Sequence, residues 1–180
     1  MKCTQINLNH CEAAHSLLRQ AVIDGGTQVV FISEPYRSIP GNGWLSSSCK
    51  GAALWSTETA PQDTRTSYEG FIRASIKGVT FYSCYAPPRW DISRFQRMLR
   101  SLVSDARGRS PVVIGGDFNA WSPECEAEKW IPKVTGPKWK DKSLDREAFS
   151  VALQTHDWTQ PSSTTTGVSK RPIEVYSSCL

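Results

Sequence analysis

The sequence predicts an α/β sandwich of mixed sheets. Several short runs are β-branched and apolar almost throughout, as strands covered on both faces are. Two stretches with helical periodicity, residues 12–23 and 91–106, fall between those runs. A two-residue turn at Lys77-Gly78 adds an antiparallel hairpin to the helical crossovers.

Taken in order, Lys2 to Leu8 reads as a first strand. Residues 12–23 follow, with Ala13, Ala14, Leu17, Leu18, Ala21 and Val22 on one helical face. Asp24-Gly25-Gly26 stops that helix. Gln28 to Ser33 is a nearly continuous apolar strand, ended by Glu34-Pro35 because a residue before proline leaves helical space. Residues 36–50 read as a Pro/Gly/Ser-rich loop. Strands are expected at Ala52–Ser56, Glu69–Ile76 and Val79–Tyr85, the last ended by Ala86-Pro87-Pro88. Residues 91–106 place Ile92, Phe95, Met98, Leu99, Leu102, Val103 and Ala106 at amphipathic spacing, with Arg94, Arg97, Arg100 and Arg107 on the polar side. Pro111 to Gly115 is a further buried strand running into Gly116-Asp117-Phe118-Asn119. Residues 120–142 look irregular, with Trp121, Trp130 and Trp139 among lysines. Residues 143–156 look helical, 162–166 form a polar turn, and Ile173–Ser177 reads as a last short strand.

Composition bounds the function classes. The 180 residues carry a formal charge of +4, with 39% hydrophobic and 21% charged residues, an ordinary globular balance that suits one domain. The charge is too mild to establish a nucleic-acid partner. No apolar run approaches the roughly 18 residues of a membrane span, and the N-terminus lacks the apolar core of a signal peptide. Six cysteines are scattered singly without a CxxC pair. Free thiols in a reduced intracellular protein fit that pattern better than disulfides or a zinc site.

The polar residues with chemical potential share one kind of position. Glu34, Tyr85, Asp117 and Asn119 each lie at or just past the C-terminal end of a predicted strand, the edge that hosts sites in layered α/β folds. A carboxylate ending an apolar strand is costly to bury unpaired, so Glu34 and Asp117 should face solvent or a cation. Two carboxylates with an amide make an oxygen shell suited to Mg²⁺ or Mn²⁺. Each residue also has a plainer reading. Glu34 can be a solvated loop carboxylate, Tyr85 a core tyrosine with a bonded tip, and Asp117 and Asn119 turn formers. Arg89 and Trp90 border Tyr85 and are the best-placed candidates for substrate contact. The other arginines and the lysines of 129–142 read as a solvated helix face and loop, or as nonspecific phosphate contacts with Trp121, Trp130 and Trp139 stacking on bases.

The order of these motifs resembles the endonuclease/exonuclease/phosphatase superfamily. The carriers are Gln5-Ile6-Asn7-Leu8-Asn9, Ile32-Ser33-Glu34-Pro35, Cys49-Lys50-Gly51-Ala52-Ala53-Leu54, Tyr85-Ala86-Pro87 and Gly116-Asp117-Phe118-Asn119. Together they look most like the apurinic-like endonuclease of insect-type non-LTR retrotransposons, over residues 2–123. The resemblance implies a four-layered α/β sandwich with two mixed β-sheets that cuts DNA phosphodiester bonds with Mg²⁺ or Mn²⁺. It implies metal binding by Glu34, with Asn7 or Gln5 completing that side. It implies water activation by Asp117, water and phosphate placement by Asn119, and charge stabilisation by Tyr85. DNA is the implied substrate, with no membrane and no stable protein partner, and the location is intracellular, nuclear if genomic DNA is cut.

The late motifs differ. Ile173-Glu174-Val175 resembles the family's Ile-Asp strand with Glu174 in place of Asp, and Thr164-Thr165-Thr166 resembles the turn before it. No Ser-Asp-His triplet, the motif that supplies the family's histidine, occurs in the chain. His10, His15 and His156 read as solvated or helix-capping residues. The expected organisation is a core at 1–123, an irregular basic segment at 124–142, and at 143–180 either the end of the same domain, incomplete at its C-terminus, or a fused connector. The alternative function is a catalytically inactive fragment with weak metal or nucleic-acid binding.

Overall fold

The computed structural model describes residues 1–38 and 43–119, and the backbone of two further strands at 154–157 and 174–175. The elements are β1 (Lys2–Asn7), α1 (Glu12–Asp24), β2 (Val29–Ser33), β3 (Trp44–Ser46), β4 (Ala52–Ser56), β5 (Gln62–Arg65), β6 (Phe71–Ile76), β7 (Val79–Tyr85), α2 (Ile92–Ala106), β8 (Val112–Asp117), β9 (Gln154–Asp157) and β10 (Glu174–Val175). They form two five-stranded sheets, ordered β3-β4-β2-β1-β9 and β10-β8-β7-β6-β5. Both sheets are mixed. β1 runs parallel to β2 and antiparallel to β9, while β7 runs parallel to β8 and antiparallel to β6.

Strand alternation sorts the side chains into layers. Cys3, Val29, Phe31, Leu54, Ile72, Ala74, Ile76, Val79, Phe81 and Val113 meet in one cluster between the sheets. The opposite face of the first sheet, through Ile6, Leu8, Val30, Ile32 and Ala53, covers α1 at Ala14, Leu18 and Val22. The opposite face of the second, through Phe71, Tyr82, Cys84, Val112 and Ile114, covers α2 at Met98, Leu102 and Ala106. Helix, sheet, sheet and helix make the four-layered sandwich. Two apolar positions of α2, Ile92 and Val103, lie at the margins of its buried stripe and are exposed. Each helix starts on a side-chain cap: Cys11 Sγ accepts from the Ala14 N–H at 3.4 Å, and an Asp91 carboxylate oxygen accepts from the Arg94 N–H at 2.7 Å. Gly26, at φ +62°, donates to the Ile23 carbonyl and closes α1 where the Asp24-Gly25-Gly26 stop was expected.

Several expectations are corrected. Residues 36–50 contain β3, which pairs antiparallel with β4. β5 is wholly exposed and polar, so no apolar pattern announces it, and edge pairing with β6 holds it. The strand expected from Glu69 starts at Phe71, because Gly70 sits at φ +81° and breaks the extended run. The helix expected to 156 is replaced at Gln154–Asp157 by β9, where ladder bonds to β1 override helical periodicity. Residues 143–153 lie outside the described ones, as do 120–142 and the 162–166 turn. Of the last expected strand, Glu174–Val175 are described, and they form β10, parallel to β8. His15 is no solvated residue: it is 4% exposed, packed on Trp44 and Tyr36. Burial, helped by the Arg37 charge, holds its imidazole below the ordinary range, against the pull of Glu12.

Cys3, Cys11 and Cys84 are buried free thiols and Cys49 is an exposed one. Burial pushes the Cys3 thiol up to about 11 and the Cys84 thiol further, so neither ionises near neutrality. Among the described residues no helix is long and apolar enough to cross a membrane.

One charged side chain breaks the apolar rule. Arg73, on the α2-facing side of β6, is 2% exposed. Its guanidinium reaches Asp63 at 2.8 Å and Asp105 on α2 at 3.3 Å. Asp105 also accepts from the Tyr68 and Tyr82 hydroxyls at 2.8 and 2.7 Å. A buried charge is tolerated only when paired in this way. Burial alone would raise the Asp105 carboxyl, but the two hydroxyls and Arg73 outweigh it and hold it below its ordinary 3.8. A folded-state value below the unfolded one contributes stability above the unfolded value and loses it as pH falls through the folded one. Chemical unfolding should therefore show Asp105→Asn less stable by about 3 kcal/mol at neutral pH. The deficit against the parent should shrink as pH drops below about 4.

Candidate active site at one end of the sandwich

The faces that meet between the sheets are apolar through the middle and turn polar at one end. β1 runs Cys3, Gln5, Asn7 along its inner face, β7 runs Val79, Phe81, Ser83, Tyr85, and β8 runs Val113, Gly115, Asp117. β2 ends at Ser33, and Glu34 follows in the left-handed region at φ +50°. That conformation disfavours a non-glycine residue and persists only where neighbours enforce it. Here the Glu34 N–H is fixed on the Gly51 carbonyl at 2.8 Å.

Two successive glycines relieve crowding here, Gly115 between the sheets and Gly116 against β7 of its own sheet. A Cβ on Gly115 would meet the Phe31 ring at 3.1 Å, and one on Gly116 would strike the Cys84 carbonyl oxygen at 2.0 Å. The Gly116 N–H donates to Gln5 Oε1 at 2.9 Å across the sandwich. Gln5 thus ties the sheets together just behind the site. Asn7, two residues on, reaches its open end.

There the side chains interlock. Asn7 Nδ2 donates to Asp117 Oδ2 at 3.0 Å, and Asn7 Oδ1 accepts from the Asn9 N–H at 2.8 Å. Asp117 Oδ1 accepts from the Asn119 N–H at 3.0 Å. Asn119, at φ +45°, donates through Nδ2 to the Ala86 carbonyl at 3.0 Å. The Tyr85 hydroxyl donates to Glu34 Oε1 in a short hydrogen bond. Burial, that bond and the negative charges of Glu34 and Asp117 push the Tyr85 phenol far up, against a smaller opposing effect of Arg89. Tyr85 is therefore a proton-bearing donor at any working pH.

The structure brings Gln5, Asn7, Glu34, Tyr85, Asp117 and Asn119 to one end of the sandwich. Arg89 is exposed and close enough for its charge to act on Tyr85. Trp90 packs on Gly70, where a Cβ would meet its Cη2 at 2.8 Å, and the Arg94 guanidinium lies 4.7 Å over its ring. Arg94 is also engaged by Glu69, its Nε 2.7 Å from the carboxylate. The backbone register sets Glu174 beside Val113, four positions short of Asp117 and about 13 Å back along the sheet. That register does not bring position 174 level with Asp117.

Two neighbours of the site were not anticipated. Gly51 lies flat against Tyr85, and a Cβ there would come within 2.6 Å of the ring's Cδ1. Its position at the start of an expected strand was the available signal. His10 stands beside Glu34, with Nε2 3.9 Å from Oε1. Its sequence position, just past the end of the first strand, matches that of the other site residues.

Glu34 has the Tyr85 hydroxyl and the His10 ring beside it, and the Asp117 carboxylate with the Asn7 and Asn119 amides lies at the same end of the sandwich. Among the described residues no group of three or more His, Cys, Asp or Glu side chains is gathered to hold a metal. A hard ion such as Mg²⁺ needs no such cage, being held by one or two carboxylates with water completing its shell, so the set fits Mg²⁺ or Mn²⁺.

No protein-family model matches the chain. No curated protein matches it either. Solved structures do. The endonuclease domain of TRAS1, a telomere-specific non-LTR retrotransposon, superposes with a TM-score of 0.57 at 20% identity, over 67% of this chain and 60% of that one. An AP endonuclease from Archaeoglobus fulgidus gives 0.52 at 19% identity, over 67% and 58%. A 3'-5' exonuclease from Neisseria meningitidis gives 0.53 at 15% identity, over 66% and 58%. The matched region thus spans about three-fifths of each of these structures.

Gly51→Ala should displace the Tyr85 ring and release its bond to Glu34. Tyrosine-labelled NMR titration should then show the Tyr85 phenol falling back toward its ordinary 10. The fold should lose about 1–3 kcal/mol.

Proposed function

We propose that this chain, which has the endonuclease/exonuclease/phosphatase fold, hydrolyses phosphodiester bonds in DNA with a divalent metal ion, as a retrotransposon-type nicking endonuclease. The observation that carries this reading is the convergence of Glu34, Asn7, Asp117, Asn119 and Tyr85 at one end of an otherwise apolar sandwich. In-line attack on a phosphodiester needs a placed water, a base and neutralisation of charge on the phosphoryl oxygens. Each requirement has a residue.

Glu34 would hold Mg²⁺ or Mn²⁺, with the Asn7 amide oxygen beside it. Asn7 suits that place better than Gln5 because it stands at the open end beside Asp117, whereas Gln5 bonds the Gly116 N–H behind the site. The ion supplies Lewis-acid charge neutralisation of the phosphate. Asp117 takes the proton of the attacking water. Its two oxygens are aimed by the Asn7 amide and the Asn119 N–H, so it stays fixed. Asn119 places the water and the phosphate from its left-handed turn. Tyr85 donates to a phosphoryl oxygen when substrate displaces its bond to Glu34. Arg89, exposed at the rim, meets the DNA backbone nonspecifically. Trp90 serves as the wall behind it.

A nicking assay on supercoiled plasmid with Mg²⁺ tests the proposal. Asp117→Asn and Glu34→Gln should each lower the rate by roughly 10²–10⁴-fold with an unchanged melting profile. Equal inactivity of parent and both variants, all melting cooperatively, would favour metal or DNA binding without turnover.

A further inference from the structure

We propose that His10 is an additional ligand to the divalent ion, through Nε2; this rests on the reading of Glu34 as a metal ligand. The tautomer follows from one contact. His10 Nδ1 lies 3.1 Å from the Pro35 carbonyl oxygen. A carbonyl only accepts, so Nδ1 carries a proton and, in the neutral ring, Nε2 presents the lone pair. That lone pair stands 3.9 Å from Glu34 Oε1. The distance is too long for a hydrogen bond from a protonated ring. It is shorter than twice the roughly 2.1 Å from a divalent ion to a nitrogen or oxygen donor, so one ion can reach both atoms.

The backbone holds the imidazole in place. The Leu8 N–H donates to the Ser33 carbonyl and the His10 N–H to the Glu34 carbonyl, each at 2.9 Å. The first strand is thereby stitched to the turn that carries Glu34. Asn9 and His10 both adopt left-handed conformations, at φ +46° and +54°. Two such residues in succession cost about 1–2 kcal/mol each. A histidine with an otherwise solvated ring, 61% exposed, needs no such enforcement. An Nδ1–H donated to a backbone carbonyl, with Nε2 left open, is the arrangement that orients metal-binding histidines. An imidazole donor adds affinity for Mn²⁺, while Mg²⁺ is satisfied by oxygen.

Titration calorimetry of the full chain with Mn²⁺ and with Mg²⁺, together with electron spin-echo spectroscopy of bound Mn²⁺, tests this without measuring turnover. His10→Ala should weaken Mn²⁺ binding about tenfold or more, with a smaller effect on Mg²⁺, and abolish the imidazole nitrogen modulation. His10→Asn, which tolerates the left-handed backbone, should do the same and excludes misfolding as the cause. Unchanged Mn²⁺ affinity in both variants, or no nitrogen modulation in the parent, overturns the His10 assignment while loss in Glu34→Gln leaves Glu34 in place. Absence of Mn²⁺ binding by the parent, or equal binding by parent and Glu34→Gln, overturns both assignments.

Discussion

Everything at the site depends on one shared surface, the faces of two sheets pressed together and required to be apolar except at one end. Period-two alternation forces residues 3, 5 and 7 of β1, 79 to 85 of β7 and 113 to 117 of β8 to look into the same space. Once Cys3, Phe81 and Val113 are committed to the core, Asn7, Tyr85 and Asp117 must emerge together at its margin. Gly115, with no Cβ against the Phe31 ring, lets the sheets approach closely enough for Gln5 to bond the Gly116 N–H across the gap. The polar end is therefore a by-product of how the core closes, and it is held by the core's rigidity.

The same logic explains the burden placed on loops. Glu34, Asn119, Asn9 and His10 all lie just beyond strand ends, and all four take left-handed backbone conformations. Glu34, His10 and Asn119 are each held by a hydrogen bond to another site segment, and Asn9 by one to Asn7. Mutual support of this kind preorganises the donors before any substrate arrives. Tyr85 and Glu34 illustrate the electrostatic side. Burial and two nearby carboxylates push this phenol far above its ordinary range, so it keeps its proton and remains a donor.

Much of this was legible in the sequence. The apolar runs gave most of the paired strands, and strand ends marked Glu34, Tyr85, Asp117 and Asn119. What the pattern could not show was determined by partners distant in the chain. β5 has no apolar signal because it is exposed on both faces, and the burial of Arg73 inside an expected strand follows only from Asp63 and Asp105 around it. The segment at 154–157 follows its pairing with β1 rather than its local periodicity. His10 was read as a solvated or capping residue and Gly51 only as part of a motif, because their nearness to Glu34 and Tyr85 spans more than twenty residues of chain. The retrotransposon-like motif order pointed to the fold now seen, although sequence identity to the solved nucleases stays at 20% or below.

The central claim is that metal-assisted water attack on a phosphodiester occurs at the end of this sandwich. Cleavage of a short DNA duplex in heavy-oxygen water, with Mg²⁺ and with chelator, examines that step directly. A hydrolytic site of this design places one heavy oxygen in the newly formed terminal phosphate, with Mg²⁺ only. Cleavage that proceeds equally in chelator, or that leaves the product phosphate unlabelled, would contradict it.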